Sequence, residues 1–543
     1  MIFDRLKSQH SSKVLRMAKL EMNYYHLKKA TPDFVVLVIL ATAIFIASWE
    51  AYKRLSPAIL DFITYNYWFE GDSAIYYRMM SERSTILHGP TRNHPLFSLI
   101  TFPVTYATRR FLNVSSETAV GFYLATVATL WIGALFVLLR ALRLKRLDAI
   151  VFCIVGAMSA SAIFWFTVPE TYPLAALGSV LVLSTVAFTE RIGLLPVWWY
   201  TLISAGSLSV TKINWMAGLL MLFSIFRWKK ALQIAIISFC LVVGASGIQK
   251  LIFPSAQFFM RTENYELNYI FHPLALGLLP TSNVLLFHSM VMPEIHEAYG
   301  TQLSVQGAQP GLGSLIEFVP TVIWVCLLIL ASWWFFSEGK TSKACVVLAL
   351  TIIGNFLFYL VFSQETFLYT LQLTPLLVAF SALGVRTRLR PVVVFLAIVF
   401  AVFAGVNNIE KFLTASTLLN QRYERQKAFF EQIQNLVAPD SLIIEGKTPL
   451  QVGPPGSWRV KSDRPNPEVI PPKELDNFHR NGWAVYYEDW SIELVKVLQH
   501  KGAKYFVTSY ILGLDQNSEF RQRMIEQYGP LERTPIWAIY RLD

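Results

Sequence analysis

Apolar segments recur along the chain from Asp33 to Asn408, separated by short polar or proline-containing connections. Most approach the roughly 20 residues that an α-helix needs to cross a bilayer, and none follows Asn408. The pattern therefore predicts an all-α polytopic membrane domain of about eleven helices, followed by a separate C-terminal domain. The predicted spans are residues 33–50, 118–140, 149–167, 171–189, 196–210, 213–227, 231–252, 316–336, 344–362, 367–385 and 391–408.

The amino-acid composition supports a membrane protein. Of the 543 residues, 54% are hydrophobic and 15% are charged, whereas soluble globular proteins carry about 25% charged residues. The formal net charge of +11 does not indicate nucleic acid, because lysine and arginine concentrate in the cytoplasmic loops of membrane proteins. We expect membrane lipid, and no nucleic acid, among the partners.

The basic residues also predict the orientation of the chain. Residues 1–32 are basic and lack the apolar core of a signal peptide, so we expect a retained cytoplasmic segment. With eleven spans, every strongly basic short loop shares the side of the N-terminus, which puts residues 409–543 outside the cytoplasm. The membrane domain, residues 33–408, then has two long outer loops, residues 51–117 and 252–315. The basic loop residues are Arg140, Arg143, Lys145, Arg146, Arg227, Lys229, Lys230, Lys340, Lys343, Arg386, Arg388 and Arg390. A bacterial inner membrane with a periplasmic tail is favoured over the endoplasmic reticulum.

The apolar segment Pro95–Phe111 would reverse this orientation if it crossed the membrane. It is short and is flanked by Arg92, Arg109 and Arg110, as expected for a helix that lies in the headgroup region. We interpret it as an interfacial helix, with a full span as the alternative.

The residues after Asn408 have a different pattern. Strand-like segments at residues 441–445, 484–487, 504–508 and 536–541 alternate with helical patterns at residues 492–500 and 519–528. This order predicts a small α/β domain. It contains no catalytic constellation, so acceptor recognition or stabilisation is favoured over a second active site.

Cysteine and histidine spacing gives no metal or disulfide pattern. All four cysteines lie within or at the edge of predicted spans, which argues against a disulfide framework. The segment Glu294-Ile295-His296-Glu297 in the second outer loop lacks the histidine spacing of a zincin, so we interpret it as solvated loop. There is no glycine-rich phosphate loop, and we expect neither a metal nor another cofactor.

Three charged residues lie where the chain re-enters the membrane from outside, namely Glu170, Lys212 and Glu365. A charge at that depth is costly unless it is hydrated or paired, so each is a functional candidate. Structural alternatives exist for two of them. Glu170 suits the first turn of a helix, and Lys212, close to Trp215, suits a lysine that extends to the membrane surface.

The first outer loop contains two further candidates. Asp72 begins an amphipathic helical pattern over residues 73–80, and His94 precedes Pro95. Asp72 is either a helix N-cap, since aspartate accepts hydrogen bonds from free backbone amides, or a functional carboxylate. His94 is either an interfacial polar residue or a ligand-binding one.

This architecture and its short motifs resemble the GT-C superfamily of membrane glycosyltransferases, which includes protein O-mannosyltransferases and the aminoarabinose transferase of lipid A. Asp72 matches the acidic residue that these proteins carry in a long first outer loop. His94-Pro95-Leu96-Phe97 is similar to their His-Pro pair and interfacial helix. Gln364-Glu365-Thr366-Phe367-Leu368-Tyr369, leading to Pro375, is similar to a Glu-Arg-Tyr-like segment but lacks the arginine. Ser73 follows Asp72 where those subfamilies commonly have an Asp-Glu pair.

The resemblance implies transfer of a sugar from a polyprenyl-phosphate-linked donor to a glycan, lipid or protein acceptor at the outer face, with inversion. Asp72 would be the general base that accepts the proton of the acceptor hydroxyl. Fixed positive charge would stabilise the leaving phosphate. The donor phosphate would be bound by Lys212, Arg92 and Arg261, and the substrates by His94, Glu170, Glu365 and Tyr369.

Two other functions fit a polytopic membrane protein. One is a transporter or flippase for a lipid or solute, although the chain lacks two halves with matching patterns. The other is an O-antigen ligase-like enzyme, whose long outer loop comes late in the chain. Transfer of sugar to an acceptor in liposomes distinguishes either enzyme from a flippase.

Overall fold

The structure is a computed structural model. It describes residues 32–61, 64, 66–85, 87–259, 277–298, 302–311, 313–362 and 365–436, and in the C-terminal region residues 442–445, 460–461, 484–486, 492–500, 503–509, 518–533 and 537–542. Residue contacts divide the chain into two compact units. The first comprises Met1–Lys53, Arg78–Pro293 and Gln306–Glu410, and the second comprises Arg54–Tyr77, Glu294–Val305 and Lys411–Asp543.

The described residues form α-helices, most of which lie on apolar segments of the sequence. In chain order they are α1 (Pro32–Leu55), α2 (Ser73–Ser81), α3 (Phe97–Leu112), α4 (Ser116–Ala141), α5 (Arg146–Ala157), α6 (Ala160–Trp165), α7 (Tyr172–Ile192), α8 (Val197–Val210), α9 (Trp215–Ile225), α10 (Trp228–Ile252), α11 (Leu278–Asn283), α12 (Leu315–Ser337), α13 (Lys343–Val361), α14 (Thr370–Ser381), α15 (Arg390–Leu436), α16 (Ile492–His500) and α17 (Ser518–Gln527).

Eight helices among the described residues are long and apolar enough to cross a membrane, which makes the protein an integral multi-pass membrane protein. The predicted count of eleven is not confirmed. Predicted spans 196–210 and 213–227 fall on α8 and α9, which have 14 and 11 residues. Predicted span 149–167 is divided between α5 and α6, because the Ser159 hydroxyl accepts the Ala162 amide and starts a new helix. α3, with 16 residues, is not among the eight, and its place at a membrane surface stays a prediction.

The eight candidate spans are Pro32–Leu55, Ser116–Ala141, Tyr172–Ile192, Trp228–Ile252, Leu315–Ser337, Lys343–Val361, Thr366–Arg386 and Arg390–Ala428. Within the first unit, α7 contacts α4, α8, α9, α13 and α14. α1 packs along α4, where the Tyr52 hydroxyl donates to the Glu117 carbonyl at 2.8 Å. Gly121 permits this approach, because a Cβ there would clash with the Tyr52 ring.

The basic loops of the first unit gather where α7 ends. Asp33, at the start of α1, forms ion pairs with Arg140 and Arg146. Arg191, in the last turn of α7, donates to the Arg140 carbonyl at 3.1 Å, and Arg386 donates to the Leu142 carbonyl. The loops around residues 140–146 and 386–390 therefore share one end of the helices. That this end faces the cytoplasm stays a prediction.

Part of the predicted second outer loop is buried in the first unit. The π-helical turn Val284–His288 is fixed by Trp324, whose indole N–H donates to the Leu286 carbonyl at 2.9 Å. The Asn408 amide donates to the Met290 carbonyl at 2.8 Å and accepts the Met292 N–H at 2.7 Å. Such satisfied backbone groups are what allow an irregular segment to be buried. Residues 284–292 are thus a packed segment, whereas Glu294, His296 and Glu297, where solvated loop was predicted, are exposed.

The second unit joins the first-loop residues 54–77 to a short hairpin. Strands β1 (His296–Ala298) and β2 (Gln302–Ser304) pair antiparallel. The Leu303 amide donates to the Tyr67 carbonyl at 2.8 Å, and the Tyr67 hydroxyl donates to Glu297. Burial and the Glu297 charge both raise the pKa of Tyr67. The guanidinium of Arg422 lies 4.5 Å from the centre of the Tyr67 ring.

Six strands of the C-terminal region form one sheet. They are β3 (Leu442–Glu445), β4 (Val460–Lys461), β5 (Ala484–Tyr486), β6 (Ala503–Ser509), β7 (Pro530–Arg533) and β8 (Trp537–Arg541), in the order β4-β5-β3-β6-β8-β7. The pairs β4–β5, β5–β3 and β3–β6 are parallel, and β6–β8 and β8–β7 are antiparallel. Val495 of α16 and Phe506 of β6 are fully buried.

Candidate functional site

The segment that bears Arg92 and His94 is held by buried side chains. The Gln249 amide, on α10, donates to the Pro95 carbonyl at 2.7 Å and accepts the Leu99 N–H at 3.1 Å. His88 is hydrogen-bonded to the Ser98 hydroxyl at 2.8 Å, and burial lowers its pKa. Both contacts fix the turn that contains residues 89–96.

His94 and Lys212 both lie near the C-terminal end of α8. The His94 Nδ1–H donates to the Val210 carbonyl at 3.0 Å, so the ring is protonated at Nδ1. The Lys212 ammonium donates to the Asn93 side-chain oxygen at 3.2 Å. Lys212 is exposed, while Arg92 is partly exposed. The arrangement puts two cationic side chains and a histidine along one short stretch of the first unit.

α7 begins beside Lys212. Asn214, two residues after Lys212, donates its amide to the Ala175 carbonyl in the first turn of α7 at 2.7 Å. Glu170, immediately before this helix, is 2% exposed, and one of its carboxylate oxygens accepts the Thr171 N–H at 3.3 Å. The favourable electrostatics of a carboxylate at a helix N-terminus therefore apply to Glu170.

Glu365 and Tyr369 reach the same end of α7 through aromatic contacts. Glu365 precedes the 3₁₀ turn Thr366–Tyr369 and Tyr369 is its last residue. The Phe367 carbonyl in this turn accepts the Trp165 indole N–H at 3.0 Å. The Tyr369 ring lies 5.5 Å from that of Tyr172, the first residue of α7. Glu365 is 3% exposed, so two carboxylates are buried near the start of α7. Buried carboxylates are functional candidates in a membrane protein.

Asp72 belongs to the second unit. Its carbonyl accepts the Tyr76 N–H at 3.0 Å, so Asp72 occupies the N-cap position of α2, and its side chain is partly exposed. Asn66, Phe69 and Glu70, which precede it, have positive φ, a conformation that non-glycine residues seldom adopt and that marks a tight, specified turn. The N-cap position fits either interpretation of Asp72.

Arg261 and the acidic and histidine residues of the second loop between 263 and 272 lie outside the described residues. Within the part of the chain that the structure describes, no group of three or more His, Cys, Asp or Glu side chains has the arrangement of a metal site.

Three residues that the structure adds to the site were missed from the sequence. Asn93 contacts Lys212, Asn214 ties the Lys212 turn to α7, and Tyr172 contacts Tyr369. Asn93 lies beside His94 in the sequence and Tyr172 lies two residues after Glu170, so proximity to the candidates was the available signal. Asn214 likewise lies two residues after Lys212, but its contact with Ala175, 39 residues away, has no local signal in the sequence.

No protein-family model and no curated protein sequence matches the chain. Two solved structures of ArnT from Cupriavidus metallidurans are similar in fold. The structure bound to undecaprenyl phosphate aligns with a TM-score of 0.52 at 11% sequence identity, covering 95% of this chain and 98% of that one. The apo structure gives a TM-score of 0.53 at the same identity and coverage. ArnT is the lipid A aminoarabinose transferase, and the likeness shows that this chain has an ArnT-like fold over almost its whole length.

Proposed function

We propose that the protein is a membrane glycosyltransferase that moves a sugar from a polyprenyl-phosphate donor to an acceptor hydroxyl at the outer face of the membrane. The observation that carries the proposal is the cluster at the start of α7. There Lys212 is joined to Asn93 beside His94, while Glu170 and Glu365 are buried. A cation with nearby carboxylates and aromatic rings suits a phosphate leaving group and sugar hydroxyls.

The fold supports a lipid-linked donor. One of the similar ArnT structures contains undecaprenyl phosphate, and the likeness extends over almost the whole of both chains. A polyprenyl phosphate is the class of donor that we propose for this chain. The sugar, hexose or pentose, and the acceptor, whether glycan, lipid or protein, are left open by the proposal.

In the proposed reaction, Asp72 accepts the proton of the acceptor hydroxyl. At the same time, the hydroxyl oxygen of the acceptor bonds to the anomeric carbon of the sugar. The bond from that carbon to the phosphate oxygen breaks, and the polyprenyl phosphate leaves with the electron pair. Lys212, with Arg92 and Arg261, stabilises the negative charge that develops on the phosphate. Glu170, Glu365, His94 and Tyr369 bind sugar or acceptor hydroxyls.

The proposal also assigns an orientation and a role to the C-terminal region. The N-terminus is cytoplasmic and residues 409–543 form a periplasmic α/β domain that recognises or orders the acceptor. A reporter fused after Asp543 is expected outside the cytoplasm and one inserted near Lys145 inside, because the basic loops share one end of the helices. A cytoplasmic C-terminus contradicts this orientation.

The test begins by identifying the donor. Mass spectrometry of the lipids that co-purify with the full-length protein is expected to detect a sugar-linked polyprenyl phosphate. That lipid is then incorporated with the protein into liposomes, and release of free polyprenyl phosphate with transfer of the sugar is measured. Movement of the lipid between leaflets without sugar transfer contradicts the proposal and favours a flippase.

A further inference from the structure

The end of α7 opposite the candidate site borders a cavity of about 340 Å³. This lies within the roughly 300–1,000 Å³ range of small-molecule sites. Its wall is formed where several helices of the first unit begin or end, and it includes the side chains of Arg143, Arg191, Arg386, Glu190 and Glu338. Three guanidinium groups therefore share the cavity with two carboxylates, leaving one positive charge in excess.

The arginines of this end fall into two groups. Arg140 and Arg146 form ion pairs with Asp33, and Arg390 forms one with Asp148. Among the described residues, none of the three cavity arginines has a carboxylate within ion-pair distance. Asp33 and Asp148 thus pair with arginines outside the cavity, and the arginines inside it form no ion pair with a described carboxylate.

Two of the three cavity arginines, Arg386 and Arg191, are held by contacts with uncharged groups. Arg386 donates to the Leu142 carbonyl, and its guanidinium lies 4.8 Å from the Trp334 ring centre. Arg191 donates to the Arg140 carbonyl at 3.1 Å. Neutral partners of this kind fix the position of a guanidinium but leave its positive charge and most of its five N–H donors for another acceptor.

Arg143 is the most available of the three. It is exposed, and its side chain has no hydrogen-bond partner among the described residues. Its φ of 66° is in the left-handed region, which non-glycine residues seldom adopt. It lies close enough to Arg386 for the two charges to repel each other. An anion between them would replace this repulsion with two attractive contacts.

The cavity carboxylates Glu190 and Glu338 attract Arg386 from beyond ion-pair distance, and each has another environment that weakens this attraction. Glu190 accepts the Ser342 hydroxyl at 2.9 Å and the Ala344 N–H at 3.1 Å, so its charge is engaged by the first turn of α13. Glu338 is exposed to solvent at the end of α12, where its attraction for a cation is weakened.

We propose that this cavity binds the phosphate group of an anionic ligand, supplied either by the headgroup of a membrane phospholipid or by a soluble phosphate ester. Planar guanidinium groups match phosphate oxygens in a two-point geometry. Basic pockets at the ends of membrane helices are suited to anionic headgroups. The site is distinct from the proposed transfer site, since the two lie at opposite ends of α7.

The lipid source is tested with full-length protein in nanodiscs that contain equal amounts of phosphatidylglycerol and phosphatidylcholine. Native mass spectrometry is expected to detect retained phosphatidylglycerol in preference to phosphatidylcholine. Arg143→Gln with Arg191→Gln is expected to lower that retention by about tenfold or more, the effect of losing a charge-assisted hydrogen bond. Arg388→Gln, which removes an exposed charge from the same end outside the cavity, is the matched control and is expected to behave as wild type.

The soluble source is tested by the melting temperature in detergent with sodium phosphate or with sodium chloride at equal ionic strength. A stabilisation by phosphate that the double variant loses supports the site with a soluble ligand. Arg143→Gln alone provides a milder variant if the double variant does not fold, and it is expected to show a smaller loss of the same kind. Equal retention of both lipids together with no phosphate effect overturns the proposal, as does an equal loss in Arg388→Gln.

Discussion

At one end of α7 lie Glu170 and Tyr172, and at the other lie Glu190 and Arg191, separated by about 30 Å at 1.5 Å per residue. At the second end, Glu190 accepts hydrogen bonds from the start of α13, and the nearby Asp148 binds Arg390. At the first end, Glu170 is buried and Lys212 is exposed beside a neutral amide.

Charged residues therefore have two different roles in the first unit, stabilising the fold at one end of α7 and suiting a substrate at the other. Carboxylates that already receive donors from helix starts or arginines stabilise the fold, and they have little capacity left for a ligand. Buried carboxylates and an exposed lysine at the same helix end suit the hydroxyl and phosphate groups that arrive with a substrate. Substitutions at the two ends are therefore expected to affect different properties.

The largest effect is expected from Asp72→Asn. Asparagine keeps the size of the side chain and caps helices as well as aspartate, so α2 is expected to persist. Loss of a general base lowers the rate of sugar transfer by about 10²- to 10⁴-fold. Turnover is measured with saturating donor in liposomes, and Glu50→Gln, an exposed first-unit carboxylate, is expected to retain activity. Turnover above about half of wild type leaves Asp72 as a cap only.

Lys212→Ala is expected to slow transfer by about 10²- to 10³-fold, the scale of one oxyanion donor. Lys212→Arg is expected to lose less, because the proposed role is charge rather than shape. Arg191→Ala, which removes a cation from the other end of α7, is the matched control and is expected to leave turnover unchanged. Wild-type turnover of Lys212→Ala at saturating donor favours a lysine that only extends to the membrane surface.

The same substitution at Glu170 and at Glu190, near the two ends of α7, compares the two ends directly. Glu170→Gln is expected to lower transfer by roughly 10- to 100-fold, as for loss of a hydrogen bond to a charged group. Glu190→Gln is expected to leave transfer unchanged and to lower the melting temperature, because it weakens the acceptor at the start of α13. Equal activity of the two variants would remove Glu170 from the substrate-binding residues.

Asp148→Asn is expected to lower the free energy of unfolding by about 1–3 kcal/mol without changing turnover of the folded protein. Asp148 is 1% exposed and accepts two hydrogen bonds from Arg390, at 3.0 and 2.8 Å. Thermal denaturation in one detergent measures the change. The exposed pair of Glu50 and Lys53 is the comparison, and its loss is expected to cost less than about 1 kcal/mol.

The smallest effect concerns His88, at the same end as His94. Burial lowers the pKa of His88 below its ordinary 6.5, so between its folded pKa and 6.5 the unfolded chain binds more protons. Stability is therefore expected to fall as the pH drops below about 6.5, by at most about 1.4 kcal/mol per pH unit. Melting temperatures from pH 7.5 to 5.5 measure this, and a slope unchanged in His88→Gln would exclude His88 as its source.

The membrane helices could be predicted because each depends on a local apolar pattern. α7, α10 and α13 begin and end within a few residues of their predicted spans. The structure differs from the prediction where a single polar side chain determines the backbone, either locally or through a partner far along the chain. Ser159 divides one predicted span, and Asn407 and Asn408 bury the segment around Met292 from 115 and 116 residues away. No local periodicity encodes such a pairing.

The candidate site was predictable as a list of residues but not as an arrangement. Glu170, Lys212 and Glu365 were selected because charge is costly at the membrane, a property of each residue alone. Helix packing determines which of these residues touch. The contacts of Asn93 with Lys212 and of Tyr172 with Tyr369 depend on how α7, α8 and α14 pack. The different roles of the charged residues at the two ends of α7 can be recognised only from the hydrogen bonds and ion pairs in the structure.

The central claim is that the donor phosphate binds where α7 begins. It is tested most directly by photo-crosslinking the full-length protein in liposomes with undecaprenyl phosphate that carries a photoreactive group next to the phosphate, in excess phosphatidylglycerol. Mass spectrometry of the digested protein is expected to find the label in residues 89–97 and 209–215. Labelling confined to residues 140–146 and 386–390, around the cavity at the other end, would contradict the claim.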